Sequence, residues 1–310
     1  MLPLRFLQLD VFPASIGGGN PLGVVFGAAH WNAEQMQRFA TWTNLVETTF
    51  VLPPRAAGAD YRLRIFTPAR EIPFAGHPSI GSAHAIVQTG WTRPRDGLLM
   101  QECGAGVLPV RVRDIDGVRQ MLIQAPPARV LRDGDDAGTA LAPVLAGQPV
   151  GALGGALVDG GRRWWVAELA DEETLRAWQP DHAAIKALAT ASESMGLCVF
   201  ARNRNGDDHQ LAVRAFPAGA GIVEDPASGA ANGLIAAYIA QREPDGELAR
   251  GYRVSQGREI GHDARLLLHV DDDGHVWTGG HTRTILDGQL HWHDDVRTTR
   301  VEQPRRAANG

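Results

Sequence analysis

Polar and apolar residues alternate along several short segments of this chain, a pattern typical of half-buried strands. The alternation is clearest at residues 61–65 and 211–215, where the charged residues (Arg62 and Arg64, and Arg214) lie on one face of each segment. Helices are expected to be fewer, and three of them begin at Asn32, Asp171 and Asp181, which are favourable N-cap residues. The predicted strands are 4–12, 48–52, 61–66, 106–113, 119–124, 157, 164–169, 196–201, 210–216, 265–271, 275–278 and 289–293, and the predicted helices include 32–42, 171–178 and 181–190.

The chain contains an internal repeat. Residues 64–68 (RIFTP) are followed by HPSIGSA at 77–83, and residues 214–217 (RAFP) are followed by DPASGAA at 225–231. Two further pairs of segments fall in the same order, namely 47–51 with 196–200 and 102–104 with 255–257. Matches in register indicate a twofold duplication of about 150 residues, which is much longer than the 20–50 residues of a solenoid repeat.

The two repeated helices, predicted at 78–88 and 226–240, carry small or apolar residues on nearly every side. Such a helix is buried all round. Short strands surrounding one buried helix predict an α+β fold with two pseudo-symmetric halves, each a curled sheet or barrel around a central helix. We expect a first domain at 1–125 plus about 285–300, a second at 126–284 with a linker near 125–134, and a flexible tail at 302–310.

Composition excludes several classes of protein. The chain has 310 residues and a formal net charge of −5, so it lacks the basic surface of a nucleic-acid binder. Its two cysteines are too few for a disulfide framework or a zinc cage. No stretch approaches 18 uninterrupted apolar residues, and residues 1–10 do not resemble a secretory signal. We therefore expect a cytoplasmic protein without membrane or nucleic-acid partners.

Two polar residues precede prolines at the starts of the repeated helices. His77 before Pro78 and Asp225 before Pro226 are predicted to occupy N-cap positions, with proline at the first helical position. If the halves face each other, the amides at 76–81 and 228–231 converge on one cleft. Helix N-termini bind anions, so the pattern predicts a small carboxylate substrate held between a histidine and an aspartate.

Glu47 precedes a predicted strand, with apolar residues on one side and two threonines and a phenylalanine on the other. Most glutamates are solvated. If the strand directs this one into the cleft, burial raises its pKa toward the range of a working acid or base.

Four motifs carry a resemblance to a known family: GNP at 19–21, NLVETTF at 44–50, FAGHP at 74–78 and VEDPASG at 223–229. Together they resemble the phenazine-biosynthesis isomerase (PhzF-like) family. The resemblance implies a diaminopimelate-epimerase-like fold, a homodimer, and a cofactor-free isomerisation similar to that of trans-2,3-dihydro-3-hydroxyanthranilate. The catalytic residues it implies are Glu47 as proton shuttle, with His77 and Asp225 beside it. The substrate-binding residues expected are Asn20, Gly76, Ser79, Ser228, Gly229 and Ala230.

The chain departs from the family pattern at two places. Ala230 replaces a hydroxyl residue after Ser228 and Gly229, and residues 262–264 read His-Asp-Ala where the family has Arg-Pro-Ser. Both departures bear on the substrate more than on the chemistry.

Two other functions remain open from the sequence. One is an amino-acid racemase or epimerase, which would need Cys103 and Cys198 as paired acid and base. The other is a non-catalytic small-acid-binding protein on the same fold. A metal enzyme is disfavoured because His291 and His293, with His275 and His281 nearby, lack a third ligand in a recognisable spacing. We expect neither a metal nor another cofactor.

Overall fold

A computed structural model describes residues 4–115, 117–203 and 208–292. The strands are β1 Leu4–Val11, β2 Asn20–Phe26, β3 Glu47–Leu52, β4 Tyr61–Phe66, β5 Glu71–Ile72, β6 Leu98–Cys103, β7 Gly106–Ile115, β8 Val118–Gln124, β9 Arg129–Arg132, β10 Val150–Asp159, β11 Arg163–Leu169, β12 Leu197–Arg202, β13 Leu211–Phe216, β14 Gly251–Gln256, β15 Ala264–Val270, β16 Val276–Gly280 and β17 Thr282–Leu290. The helices are α1 Ala33–Thr43, α2 Gly76–Thr89, α3 Gly134–Leu145, α4 Glu172–Ala177, α5 His182–Ala191 and α6 Gly229–Arg242.

The same strand order occurs twice. In the first half, neighbouring strands run β17–β1–β2–β3–β4–β6–β7–β8, and the short β5 lies on β4. In the second half they run β9–β10–β11–β12–β13–β14–β15–β16. The parallel pairs also correspond, because β2–β3 and β4–β6 match β11–β12 and β13–β14. The predicted pseudo-symmetric α+β fold is confirmed.

The last strand, β17, follows the second half in sequence but belongs to the sheet of the first half. After β8 the chain leaves the first half and forms β9 of the second, whereas after β16 it returns to pair β17 with β1. Antiparallel pairing of β8 with β16 joins the halves into one sheet. The proposed domain limits stay a prediction, and the tail at 302–310 lies outside the described residues.

The central helices α2 and α6 are buried on nearly every side, as their composition predicts. Ten of the 14 residues of α2 and nine of the 14 of α6 are buried, so neither helix presents an amphipathic face. Strands of both halves and the two helices share one continuous hydrophobic core. None of the helices in the described part of the chain is long and apolar enough to span a membrane.

The shorter helices cover the outside of each half. Helix α1 begins with a capping box in which Asn32 and Gln35 satisfy each other's backbone amides. It packs through Met36 and Phe39 on β3, and α3, α4 and α5 cover the second half in a separate apolar cluster. These outer layers leave the junction between the halves open.

Several elements differ from the expected boundaries. Strands β2, β6 and β14 were not predicted, and the expected linker at 125–134 instead contains β9 and the first residue of α3. The last predicted strand, 289–293, is the end of the longer β17, which stops at Leu290, and residue 293 lies outside the described residues. Strand β2 has the sequence NPLGVVF, without polar alternation, because both of its faces are buried.

Candidate active site

A cleft of about 1140 Å³ separates the two halves. Residues of both halves form the walls of the cleft, and most of the wall surface is apolar. The charged residues that line it, within the described ranges, are Glu47, Arg70, Arg162, Lys186, Glu224 and Asp225. A concave, mostly apolar site with a few polar groups is the usual form of a small-molecule binding site.

The N-termini of the two central helices meet at the cleft. Gly76 and Gly229 are the first residues of α2 and α6. A Cβ atom added to Gly76 would lie 3.3 Å from the Cα of Gly229, and one added to Gly229 would lie 3.4 Å from the Cα of Gly76. Glycine at both positions therefore permits a close approach of the two helix ends. The first amides of each helix have no intrahelical acceptor, so together they favour an anion.

The predicted capping roles of His77 and Asp225 are wrong. Helix α2 begins at Gly76 with Ala75 as its N-cap, so His77 and Pro78 already lie inside the first turn. Proline is tolerated there because amides of the first turn have no intrahelical acceptor to lose. Helix α6 begins three residues later than expected, with Ser228 as its N-cap and its hydroxyl accepting from the amide of Ala231.

Glu47 is the first residue of β3, and the strand directs its carboxyl into the cleft. Burial, together with a smaller effect of the nearby charge of Asp225, raises the pKa of Glu47 from its usual 4.5 to about 8. Its Oε2 atom has no hydrogen-bond partner among the described residues. The carboxyl is therefore largely protonated at neutral pH and free to engage a substrate.

His77 faces Glu47. Its Nε2 atom lies 3.2 Å from Glu47 Oε2, without the geometry of a hydrogen bond, and has no other partner in the described chain. Burial lowers the pKa of His77 to about 3, against a smaller opposing effect of its hydrogen bond to the backbone carbonyl of Pro21. The imidazole is neutral at physiological pH. Because the ring donates to Pro21, the tautomer leaves the Nε2 lone pair directed at the cleft.

Asp225 supplies the opposite wall of the site. Its Oδ1 atom accepts hydrogen bonds of 3.1 Å from the Asn20 amide group and from the backbone amide of Ala227. Burial raises the pKa of Asp225, and these hydrogen bonds, with one from Ser228, partly oppose the rise. Gln256 binds the backbone carbonyl of Asp225 at 2.8 Å and fixes the loop.

The dipeptide Asn20-Pro21 binds both His77 and Asp225, the two polar residues near Glu47. The Asn20 amide group, from the first half, donates to Asp225 and to the carbonyl of Ala227 in the second half. The carbonyl of Pro21 accepts from His77. This motif therefore sets the relative position of two groups that lie about 150 residues apart in the sequence.

The expected substrate-binding set divides into two groups. Gly76, Ser228, Gly229 and Ala230 line the cleft. Asn20 does not line it and acts on Asp225 instead. Ser79 does not line it either, because its hydroxyl donates to the carbonyl of Ala75 and accepts from Gln101 within the core of the first half. The structure thus places Asn20 and Ser79 behind the residues that line the cleft, and their role in substrate binding stays a prediction.

The departure from the family pattern at residues 262–264 lies outside the cleft. His262 hydrogen-bonds the carbonyl of Gly19 at 2.7 Å, next to the Asn20-Pro21 motif. Asp263 pairs with Arg258 and Arg265. These residues support the loop that carries Asn20, and His262 also acts electrostatically to lower the pKa of Asp225.

Neither cysteine lines the cleft. Cys198 is buried in β12, where burial raises the pKa of its thiol, and Cys103 ends β6. A two-thiol mechanism therefore has no geometric support within the described residues. Asp271, Asp273 and His275 form a possible metal-ligand group at the β15–β16 turn, away from the cleft lining. No sequence pattern singled out Thr278, another residue of the cleft wall.

Comparison with known proteins identifies the family of this chain. The family model of phenazine biosynthesis-like proteins (PhzC-PhzF) matches residues 9–289. A trans-2,3-dihydro-3-hydroxyanthranilate isomerase of Pseudomonas aeruginosa is 30% identical, over 93% of this chain and 99% of the relative. The protein antisense-enhancing sequence 1 of Schizosaccharomyces pombe is 32% identical, over 92% of this chain and 97% of the relative.

Solved structures share the fold. A phenazine biosynthesis protein of the PhzF family from Bacillus anthracis has a TM-score of 0.76 at 22% identity, covering 94% of this chain and 100% of that one. A hydroxyproline epimerase from Agrobacterium vitis has a TM-score of 0.58 at 12% identity, over 93% of this chain and 92% of that one. Fold and named relatives together define an isomerase. The chain belongs to the phenazine biosynthesis-like family.

Proposed function

We propose that this protein catalyses a cofactor-free isomerisation in which Glu47 moves a proton between two carbons of a small carboxylate. The observation that carries the proposal is the pair of unpartnered atoms, Glu47 Oε2 and His77 Nε2, 3.2 Å apart in the cleft. Buried polar atoms are normally hydrogen-bonded. Two unpartnered atoms facing one cleft support a site built for a ligand.

The proton transfer needs one group that both takes and returns the proton. The fraction of Glu47 that is ionised, a minority at neutral pH because its pKa is about 8, removes a proton from one carbon, and the resulting carboxylic acid delivers it to another carbon of the delocalised anion. A pKa near 8 makes the carboxylate a stronger base than an exposed glutamate and suits both steps. Asp225 disfavours a second negative charge nearby, and neutral His77 offers its Nε2 lone pair to the substrate or to the protonated carboxyl.

The substrate class follows from the cleft. The amides of the two helix N-termini favour the carboxylate of the substrate and the negative charge that develops when the proton leaves. Arg70, Arg162 and Lys186 add positive charge around the same cleft. The P. aeruginosa relative is named for trans-2,3-dihydro-3-hydroxyanthranilate, a cyclic acid of this kind, and we propose an acid similar to it.

Replacing Glu47 by Gln tests the mechanism, because the amide keeps the size of the side chain but cannot titrate. With trans-2,3-dihydro-3-hydroxyanthranilate, or another cyclic acid that the wild type turns over, we expect the rate to fall by about 10²–10⁴-fold. Binding should remain. Turnover in D₂O, followed by NMR, should place deuterium at the receiving carbon of the product.

The control is Glu34→Gln, which removes an exposed carboxylate of α1 and should leave the rate unchanged. A Glu47→Gln rate within a few-fold of wild type rejects Glu47 as the shuttle. Binding of acids without any turnover or isotope exchange would instead support a non-catalytic acid-binding protein. Loss of activity on thiol alkylation would support the racemase mechanism.

The proposal includes a homodimer, as the resemblance implies, and a cytoplasmic location, as the composition predicts. Both are predictions for this chain. Sedimentation of the purified protein tests the first, and imaging of a tagged protein tests the second.

A further inference from the structure

Thr278 carries an unsatisfied hydroxyl in the wall of the cleft. The residue is 3% exposed, its Oγ1 atom has no hydrogen-bond partner among the described residues, and the side chain lines the cleft. An unpaired buried hydroxyl costs free energy, so most are satisfied. A ligand group that accepts from or donates to this atom would remove the cost.

Strand registers place Thr278 on the pseudo-twofold axis. The β6–β7 pair Cys103–Gly106 corresponds to the β14–β15 pair Gln256–Ala264, because residues 102–104 and 255–257 are equivalent. Counting from these pairs, Val110 of β7 corresponds to Leu268 of β15. Their partners on the next strands are Ile123 of β8 and Thr278 of β16. Thr278 and Ile123 are thus equivalent positions.

These two equivalent residues also pair directly with each other across the β8–β16 junction. Directly opposed residues on neighbouring strands share one face of the sheet, and both side chains line the cleft. The axis therefore passes between an isoleucine and a threonine, both β-branched. Threonine carries a hydroxyl where the longer isoleucine carries only hydrocarbon, so a substrate lying across the axis meets an apolar contact on one side and a hydrogen-bonding group on the other.

We propose that Thr278 is a specificity-determining residue that hydrogen-bonds a hydroxyl or amino substituent of the substrate. This inference rests on the proposed function, since it places the substrate carboxylate at the helix N-termini of α2 and α6. Both helices pack on β16, the strand that carries Thr278. Thr278 and the first residues of both helices line the same cleft, so one small molecule can contact all of them. The substrate class is then a cyclic acid that carries a polar substituent besides its carboxylate.

Calorimetric titration with benzoate and its hydroxy and amino derivatives tests the inference without any need for turnover. We expect at least one substituted benzoate to bind the wild type about 2- to 10-fold more tightly than benzoate, as one net hydrogen bond would give. In Thr278→Val, which keeps the shape and removes the hydroxyl, that preference should disappear. Thr278→Ser should retain it.

Thr282→Val is the matched control. Thr282 is 1% exposed and its hydroxyl is also unpartnered, but it does not line the cleft. We expect it to leave every preference unchanged. The inference is wrong if no substituted acid binds the wild type more tightly than benzoate, if every preference survives in Thr278→Val, or if Thr282→Val abolishes the same preference. Failure of Glu47→Gln to lose turnover would instead overturn the proposed function, because these titrations do not measure proton transfer.

Discussion

The two halves carry the same ion pair in different surroundings. In the first half, Arg64 of β4 binds both oxygens of Glu71 at 2.7 and 2.6 Å, and in the second half Arg214 of β13 binds both oxygens of Glu224 at 3.0 Å. Each arginine also lies over a phenylalanine two residues on, at 5.1 and 5.2 Å from the ring centre. The duplicated strand, the phenylalanine and the bidentate pair have all been kept.

Burial distinguishes the two pairs. The side chains are 21% and 40% exposed in the first half but 5% and 4% exposed in the second. Arg214 donates a further bond of 2.6 Å to the carbonyl of Trp178, and Glu224 adjoins Asp225 in the cleft. The same residues thus serve a solvated surface in one half and the wall of the candidate active site in the other. Sequence equivalence between repeats does not imply equal energetic weight.

Replacing each of the two equivalent arginines by alanine should give the largest difference between the halves, measured as a loss of unfolding free energy. In Arg214→Ala, Glu224 would stay buried without its partner, which typically costs about 3–5 kcal/mol. Arg64→Ala removes a partly solvated pair and should cost less than about 1 kcal/mol. The measurement is the free energy of unfolding in urea for both variants at one pH.

The double variant Arg214→Met with Glu224→Leu provides the control. Apolar replacement of a whole buried pair is often neutral, so much of the lost stability should return. Equal losses for Arg64→Ala and Arg214→Ala would show that burial does not separate the two pairs.

Two carboxyls of the candidate site, one from each half, differ in the number of their hydrogen-bond donors. Asp225 has hydrogen-bond donors from Asn20, Ala227 and Ser228, whereas Glu47 Oε2 has none among the described residues. Burial raises the pKa of both, and that of Glu47 reaches about 8. The first half therefore supplies a carboxyl that titrates near neutral pH and whose Oε2 atom lacks a donor in the described chain, and the second half supplies a carboxyl held by three donors.

Glu47 should make stability depend on pH. Its folded-state pKa is raised from 4.5 to about 8, so the native state binds an extra proton between these values. The stabilisation from that proton is present below pH 4.5 and is lost as the pH rises toward 8, at no more than about 1.4 kcal/mol per unit. We expect Glu47→Gln to lose this slope, as measured by urea unfolding at pH 5, 6, 7 and 8.

His77 affects the same curves in the opposite direction. Its pKa is lowered to about 3, so the stability it contributes as a neutral ring is lost as the pH falls below its ordinary value of 6.5. Because this contribution is present in both wild type and Glu47→Gln, the difference between their curves isolates Glu47. Parallel curves from pH 5 to 8 would contradict the raised pKa.

Much of this arrangement could be predicted from the sequence. The twofold repeat, the two buried central helices and the joint position of Glu47, His77 and Asp225 followed from motifs and their order. Helix starts were less predictable, because Pro78 is compatible with more than one position of a first turn. The roles of Asn20 and Ser79 depend on partners that lie 205 and 22 residues away, Asp225 and Gln101. No local pattern identifies such partners.

Thr278 shows a further limit of sequence reasoning. A threonine in a short strand is ordinary, since β-branched residues favour strands. Thr278 is singled out by the strand register, which pairs it with Ile123 at the junction of the two halves. Register across nonadjacent segments is a property of the folded sheet and could not be derived from alternation alone.

Chelation should produce the smallest effect. The candidate metal-ligand group, Asp271, Asp273 and His275, belongs to a turn of the second half. Asp271 is already engaged by Trp277 at 2.8 Å and Arg111 at 3.1 Å, and its hydrogen bonds lower its pKa to about 2. Because the proton transfer is assigned to Glu47, we expect turnover to be unchanged after dialysis against EDTA, with Asp273→Asn as a matched variant. Loss of turnover that zinc restores would contradict the proposed cofactor-free mechanism. If Asp273→Asn also lost turnover and zinc did not restore it, the metal site would lie at this turn. The second half would then contribute a metal ion to the activity, in addition to Asp225.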